Sequence, residues 1–144
     1  MIATNIANGE KVILKKGNIA KSVMASTCVP GIFVPIEIDN EMLVDGGIVE
    51  NVPVKTLKQM GAEFIIGVDL NPVHSYGKPS NIIDIILNSF HYSIKQTVAM
   101  QTNNCDILFK PDLSQYSLSS TKNMQDLITK GYDHAIKVLD SLNL

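Results

Sequence analysis

The chain has 144 residues, of which 45% are apolar and 18% charged, and 12 cationic against 14 acidic residues leave a net charge of −2. This composition is that of one folded domain and excludes a disordered or collagen-like chain. Every cationic residue is Lys, so the chain has neither the charge excess that nucleic acid requires nor the guanidinium groups for bidentate clamping of phosphate or carboxylate.

The amino-terminal part predicts short strands, tight turns and one helix. Asn8-Gly9 is a two-residue hairpin signal between the strand candidates Met1–Thr4 and Val12–Leu14. Apolar residues within Ile19–Ser26 recur at helical spacing, and Pro30-Gly31 ends that segment.

A second group of strands leads to the most informative stretch of the chain. Phe33–Ile38 is β-prone, with Pro35 favouring an edge position or an irregular stretch. Met42–Val44 is a short buried strand that runs directly into Asp45-Gly46-Gly47.

The remaining residues alternate between helical and extended patterns. The predicted elements are helix Val54–Met60, strand Phe64–Val68 buried on both faces, helix Ile82–Val98, strand Ile107–Phe109 and helix Met124–Leu142. Loops are predicted at 71–81 and 112–121. This alternation predicts an α/β fold with a layered, mostly parallel sheet flanked by helices.

Several classes of site and location are disfavoured. No apolar run approaches the roughly 18 residues of a membrane-spanning helix, and the first residues lack the pattern of a signal peptide. Cys28 and Cys105 are too isolated for a disulfide framework or a zinc site. We therefore expect a cytoplasmic protein, peripheral to a membrane at most during catalysis, that uses no metal and no cofactor.

Asp45 is the main catalytic candidate. A carboxylate at the end of a strand stands where α/β proteins place reactive groups, and partial burial would raise its pKa and make it a base. Gly46 and Gly47 would allow positive φ or close approach of a partner. The alternative is a plain tight turn in which Asp45 accepts backbone N–H bonds.

The surroundings of Asp45 resemble the carboxy-terminal half of the patatin-like phospholipases. Three segments carry the resemblance in order: Ala25–Pro35 with A-S and P-G-x-F, Leu43–Val54 with D-G-G and N-x-P, and Gly61–Asp69. The similarity extends over residues 1 to about 72, although the family commonly has Asp where Asn5 stands. The resemblance implies a Ser–Asp dyad that hydrolyses acyl esters of lipids, with Asp45 as general base.

The family's nucleophile motif is missing. None of the serines has Gly two residues before and after it, and no glycine-rich oxyanion loop is present. We therefore expect residues 1–144 to be the carboxy-terminal part of an incomplete patatin-like domain, inactive alone and bound to its amino-terminal half or to a second copy. Apolar surface would then be uncovered on Phe64–Val68 and on Ile82–Met100.

The other motif residues are expected to shape the site. Ser26 is interpreted as a small residue that permits close helix packing and not as a nucleophile, while Pro30, Asn51 and Pro53 match the family pattern and shape the turns.

Further polar residues are expected to be structural. Asp69 is interpreted as a cap or turn former, and His74, His91 and His134 as surface or capping residues without metal-ligand spacing.

Two other function classes stay open. One is a non-catalytic α/β interaction module derived from the same fold. The other is an unrelated ligand-binding domain in which Asp45 coordinates a small molecule or metal.

Overall fold

The computed structural model describes residues 1–70, 78–116 and 122–142. Within those ranges the strands are β1 (Ile2–Asn5), β2 (Lys11–Ile13), β3 (Ile36–Ile38), β4 (Glu41–Asp45), β5 (Ile66–Val68) and β6 (Ile107–Phe109). The helices are α1 (Ile19–Ser26), α2 (Gly47–Glu50), α3 (Val54–Gln59), α4 (Ile82–Thr102) and α5 (Met124–Ser141). The predicted elements are present, and α2 is an addition that the sequence did not predict.

The larger sheet has the strand order β2-β1-β4-β3, and each of its neighbouring pairs is antiparallel. The α/β class is confirmed, and β5 and β6 form a parallel pair, but the described strands are not mostly parallel. For the pairs β1–β2 and β3–β4 the reason lies in the connections, because strands joined by short hairpins must run in opposite directions.

Two turns set these directions. The Asn8-Gly9 hairpin is present, with a loop longer than two residues and Gly9 at φ 75°. Asp39 and Asn40 have φ values of 52° and 64° and link β3 to β4 as a two-residue turn. Asp and Asn tolerate this left-handed region better than other side chains, so Asp39-Asn40 was a hairpin signal that the sequence analysis missed.

One core lies between α1 and the antiparallel sheet. The helix begins at Asn18, whose side chain accepts a hydrogen bond from the Lys21 N–H at 3.0 Å. Ala3, Ala25 and Leu43 are buried together at the helix–sheet contact. Ala25 is small, so α1 approaches the sheet closely, as predicted from the A-S segment.

A second core is built around α4. Its buried residues are Val52, Val54, Ile65, Ile94 and Val98, and Phe90 and Cys105 pack against them. The short helix α2 contacts both β1 and α4, so it joins this core to the antiparallel sheet. The turn that contains Asp45 lies at that junction.

A buried ion pair ties the two cores together. Glu50 at the end of α2 accepts hydrogen bonds from Lys11 Nζ at 2.8 Å, from the Thr56 N–H at 3.1 Å and from the Thr56 hydroxyl. Burial raises the Glu50 pKa, but these hydrogen bonds outweigh burial and hold it below its ordinary value. The network connects β2, α2 and α3 across the molecule.

The apolar run at β5 is buried on one face only, and not on both as predicted. Ile65 and Gly67 are buried, whereas Phe64, Ile66 and Val68 are each more than half exposed. The first turns of α4 are also apolar and exposed, and the described part of α5 buries no residue completely. Large apolar surface is therefore uncovered on Phe64–Val68 and on α4 in this chain.

Candidate active site

The site is centred on Asp45 at the carboxyl end of β4. The Asp45 N–H donates to the Cys28 carbonyl at 2.9 Å, and the Gly46 N–H donates to the Ser26 carbonyl at 3.4 Å. These bonds hold the segment 26–28, at the end of α1, beside the Asp45 turn. The helix α2 begins two residues later at Gly47.

Gly46 is required by close packing and not by positive φ. Its φ is −71°, and Gly47 is likewise absent from the glycines with positive φ. A Cβ on Gly46 would lie 2.2 Å from the Ile2 carbonyl oxygen, which belongs to β1. The sequence-based expectation of positive φ was therefore wrong, while the expectation of close approach is met by the backbone of β1.

The Asp45 carboxylate is held by its own turn. Its Oδ1 accepts a hydrogen bond from the Gly47 N–H at 2.7 Å. Burial raises the Asp45 pKa, and the Gly47 hydrogen bond and the nearby His91 oppose that rise without cancelling it. The carboxylate is consequently both fixed in orientation and more basic than an ordinary Asp.

The surroundings of Gly47 show how closely the residues of the site are packed. A Cβ on Gly47 would have Asp45 Oδ1, Asn51 Oδ1 and Ile94 Cδ1 all within 3.2 Å. Asn51 and α4 therefore reach the same turn as Asp45. An alanine at position 47 would press on the candidate base itself.

The motif residues named from the sequence lie in different places. Ser26 and Asn51 are brought to the Asp45 turn, Ser26 through its carbonyl group. Pro30 forms an isolated bridge with Phe33 in the loop after α1. Pro53 precedes α3, and its carbonyl accepts the Leu57 N–H at 3.0 Å, so its observed role is to start that helix.

His91 is a site residue that the sequence analysis missed. It lies on α4 three residues before Ile94, on the same helix face, and is near enough to Asp45 for each group to affect the other's titration. Burial lowers the His91 pKa, and the Asp45 charge raises it by a smaller amount. Only the packing of α4 on α2 brings the two residues together, and no local pattern signals it.

The other polar candidates have structural partners. His134 Nε2, on α5, accepts the Lys110 N–H at 2.9 Å just after β6. Asp69 forms an ion pair with Lys110 at 2.9 Å across the ends of β5 and β6, instead of serving simply as a cap. His74 lies outside the described residues. Across ranges 1–70, 78–116 and 122–142, no group of three or more His, Cys, Asp or Glu side chains is arranged to hold a metal ion.

None of the helices in the described ranges combines the length and the apolar character needed to cross a bilayer.

Comparisons with known proteins agree with the resemblance. The family model described as patatin-like phospholipase matches residues 3–58, a range that includes Asp45. A lysophospholipase NTE1 from Scheffersomyces stipitis is 25% identical over 164 residues, covering 96% of this chain and 11% of the relative. A lysophospholipase NTE1 from Meyerozyma guilliermondii is 33% identical over 94 residues, covering 62% of this chain and 6% of the relative.

The chain is also similar to a bacterial protein. An uncharacterized NTE family protein from Mycobacterium tuberculosis is 33% identical over 70 residues, covering 49% of this chain and 19% of the relative. The chain thus spans less than a fifth of the length of each of these three proteins. Residues 3–58, with β1, β4 and the Asp45 turn, are thus similar to the patatin-like phospholipase family.

Proposed function

We propose that this chain is the base-bearing part of a lipid acyl hydrolase, in which Asp45 forms a Ser–Asp dyad with a serine from another segment. The single observation that carries the proposal is the state of Asp45: a carboxylate fixed at a strand end, partly buried, with a raised pKa. The match of residues 3–58 to the patatin-like phospholipases supports it. The nucleophile-bearing segment is either the amino-terminal half of the same domain or a second chain.

In the proposed mechanism Asp45 moves protons and forms no covalent bond. As the serine oxygen attacks the ester carbonyl, its proton passes to the Asp45 carboxylate and then to the leaving alkoxide, giving an acyl-serine and a free alcohol. Water next attacks the acyl-serine while Asp45 accepts the water proton. That proton returns to the serine oxygen as the fatty acid leaves, so the enzyme is regenerated.

The pKa of Asp45 matters because the dyad contains no imidazole. A general base is most effective when its pKa approaches the operating pH, and an ordinary aspartate titrates well below it. Burial at the β4–α2 junction moves the Asp45 pKa in the required direction. The Gly47 N–H fixes Oδ1 so that the carboxylate does not rotate freely.

The test requires the missing serine. The reading frame upstream of this chain is sequenced, and a segment with G-x-S-x-G within roughly 150 residues is co-expressed with it. We expect the isolated chain to give no saturable turnover of a short-chain nitrophenyl ester and the reconstituted protein to hydrolyse it. Asp45→Asn in the reconstituted protein should lower kcat by at least about 10²-fold.

Asp39→Asn is the matched control, because it makes the same chemical change at an exposed turn position whose φ of 52° suits Asn. It should retain full activity. Retention of more than half the activity by Asp45→Asn would remove Asp45 from the role of base.

His91→Gln separates two mechanisms at this site. If Asp45 is itself the base, the variant keeps most of its activity, because Gln preserves much of the packing on α4. A loss as large as that of Asp45→Asn would instead indicate a His-containing relay and would refute the dyad.

The alternative function is a non-catalytic interaction module, and the uncovered apolar surface on β5 and α4 favours it. The two functions predict different sequences in the reading frame upstream of this chain. An upstream frame without a nucleophile elbow, together with a stable complex between this chain and a different protein, would select the interaction module.

A further inference from the structure

The segment 11–36 differs in charge from the rest of the chain. It contains four Lys and no Asp or Glu, although the chain as a whole has a net charge of −2. Lys11 is held in the buried ion pair described above. The side chains of Lys15, Lys16 and Lys21 are exposed, and none of them forms an ion pair with an acidic residue in the described part of the chain. These three ammonium groups therefore give α1 and the residues before it a basic surface.

Apolar side chains of the same segment are also exposed. Ile19, the first residue of α1, is 75% exposed, and Val23 and Met24 are about half exposed. In the loop after α1, Phe33 and Val34 are 59% and 83% exposed. Single exposed apolar residues are common, whereas several of them on one surface mark a contact with another body.

The helix and the loop form one continuous surface. Met24, Phe33 and Val34 border the same apolar cavity, which has a volume of about 390 Å³. Its closed end is formed by Cys28, which is buried. The Phe33 N–H donates to the Val29 carbonyl at 3.1 Å, so the apolar side chains of the loop are presented by a hydrogen-bonded turn.

The combination of Lys charges and exposed apolar side chains indicates the chemistry of the partner. A helix with both features is typical of segments that lie at a bilayer surface. Lys ammonium groups attract anionic headgroups, and their long aliphatic stems keep the charge in the headgroup layer while neighbouring apolar side chains enter the acyl boundary. A purely apolar partner would instead bury the lysine charges without a counter-charge.

We propose that this surface, formed by Lys15, Lys16, α1 and the loop 32–34 and called the α1 face below, docks on an anionic lipid bilayer. The inference goes beyond the proposed hydrolysis, because docking requires neither Asp45 nor a nucleophilic serine. It assigns a place of attachment to lipid, whereas the turnover of lipid is a separate property.

The first test measures sedimentation of the wild-type chain with vesicles of ether-linked lipids, which contain no ester to hydrolyse. We expect binding to vesicles of phosphatidylglycerol and phosphatidylcholine in equal parts, and binding at least about tenfold weaker to phosphatidylcholine alone. Added salt should weaken the binding, because the lysine charges are exposed. Equal binding to the two kinds of vesicle would refute the inference. Absence of binding to both would also refute it and would make the α1 face a protein interface.

The charge of the α1 face is tested by combining Lys15→Gln, Lys16→Gln and Lys21→Gln. Each Lys near an anionic surface contributes about fivefold in affinity, so this triple variant should bind the anionic vesicles about 100-fold more weakly. The matched control makes the same change in net charge at three exposed lysines of α4 and α5: Lys95, Lys130 and Lys137. It should stay within about threefold of the wild type. An equal loss in both triple variants would mean that net charge alone drives binding, and would overturn the assignment to this face.

The apolar part of the α1 face is tested by the double variant Phe33→Ser and Val34→Ser. Because both side chains would leave water on docking, it should bind at least about tenfold more weakly. The double variant Ile128→Ser and Tyr132→Ser is the matched control, since these side chains are 64% and 66% exposed on α5, and it should bind like the wild type. Wild-type binding by the Phe33 and Val34 variant would refute insertion of the loop. Circular dichroism checks that the variants fold, and the lipid and salt dependence of the wild type decides the inference if one of them does not.

Discussion

Replacing Gly46 by Ala should destabilise the fold through a contact that cannot relax. The added Cβ would lie 2.2 Å from the Ile2 carbonyl oxygen, 2.5 Å from the Ile2 carbonyl carbon and 3.1 Å from the Ala3 nitrogen. All three atoms belong to β1, which is hydrogen-bonded to β2 on one side and to β4 on the other. Because a strand held on both edges cannot move away, the turn itself must shift by about 1 Å.

Overpacking of this kind costs about 3 kcal/mol, at the upper end of measured values for extra methyl groups in packed interiors. With a urea dependence of about 2 kcal/mol per molar for a chain of this size, the unfolding midpoint should fall by about 1.5 M. The measurement is urea unfolding followed by circular dichroism at 222 nm.

Gly131→Ala is the matched control, since Gly131 lies within α5 and a Cβ there meets nothing within 4 Å. Alanine is the better helix former by about 0.5–1 kcal/mol, so this variant should unfold at higher urea than the wild type. If Gly46→Ala had the wild-type midpoint, the close approach of β1 to the Asp45 turn would be wrong.

Three further predictions concern charge and assembly. Glu50→Gln should reduce the free energy of unfolding by about 2 kcal/mol at pH 7. Because the folded-state pKa of Glu50 is lowered, the wild type loses this advantage as pH falls below about 4, and urea unfolding across that range measures it. Asp45→Asn should have the opposite sign. Because the folded-state pKa of Asp45 is raised, the wild type loses stability as pH rises above about 4, whereas the variant does not. Urea unfolding across that rise would contradict this if the two stability curves stayed parallel. The uncovered apolar surface on β5 and α4 should make the chain associate. Light scattering coupled to size exclusion should therefore give a mass above 15.7 kDa, and a sharp monomer peak with a cooperative melt would refute this.

Local sequence patterns predicted most of the elements. Helical spacing located α1, α4 and α5, and Gly61, at φ 92°, ends the segment of α3 as expected. These features depend on interactions within a few residues, which is why they can be found without knowing the fold. The same holds for Asp45 at a strand end, because both the strand and the turn are local.

Strand direction was not predictable in the same way. The two-residue turn at Asp39-Asn40 reverses the chain and makes β3 and β4 antiparallel. The sequence analysis missed this short signal and took the strand direction from the α/β alternation of the second half. Burial was also misjudged at β5, where an apolar run is covered on one face only. The apolar pattern of a strand is the same whether or not another element packs against each of its faces. The sequence therefore does not tell which faces are covered.

The sequence by itself determined the helices, the Asp45 turn, the absence of a serine elbow in these residues and the family resemblance. Each of these features depends only on a short stretch of neighbouring residues. Only the tertiary structure decided that Gly46 is small because β1 passes behind it, that His91 on α4 reaches Asp45, and that Cys28 separates the base from an apolar cavity. These relations join residues 17 to 46 positions apart, and their geometry is set by how helices and strands pack, which no local propensity encodes.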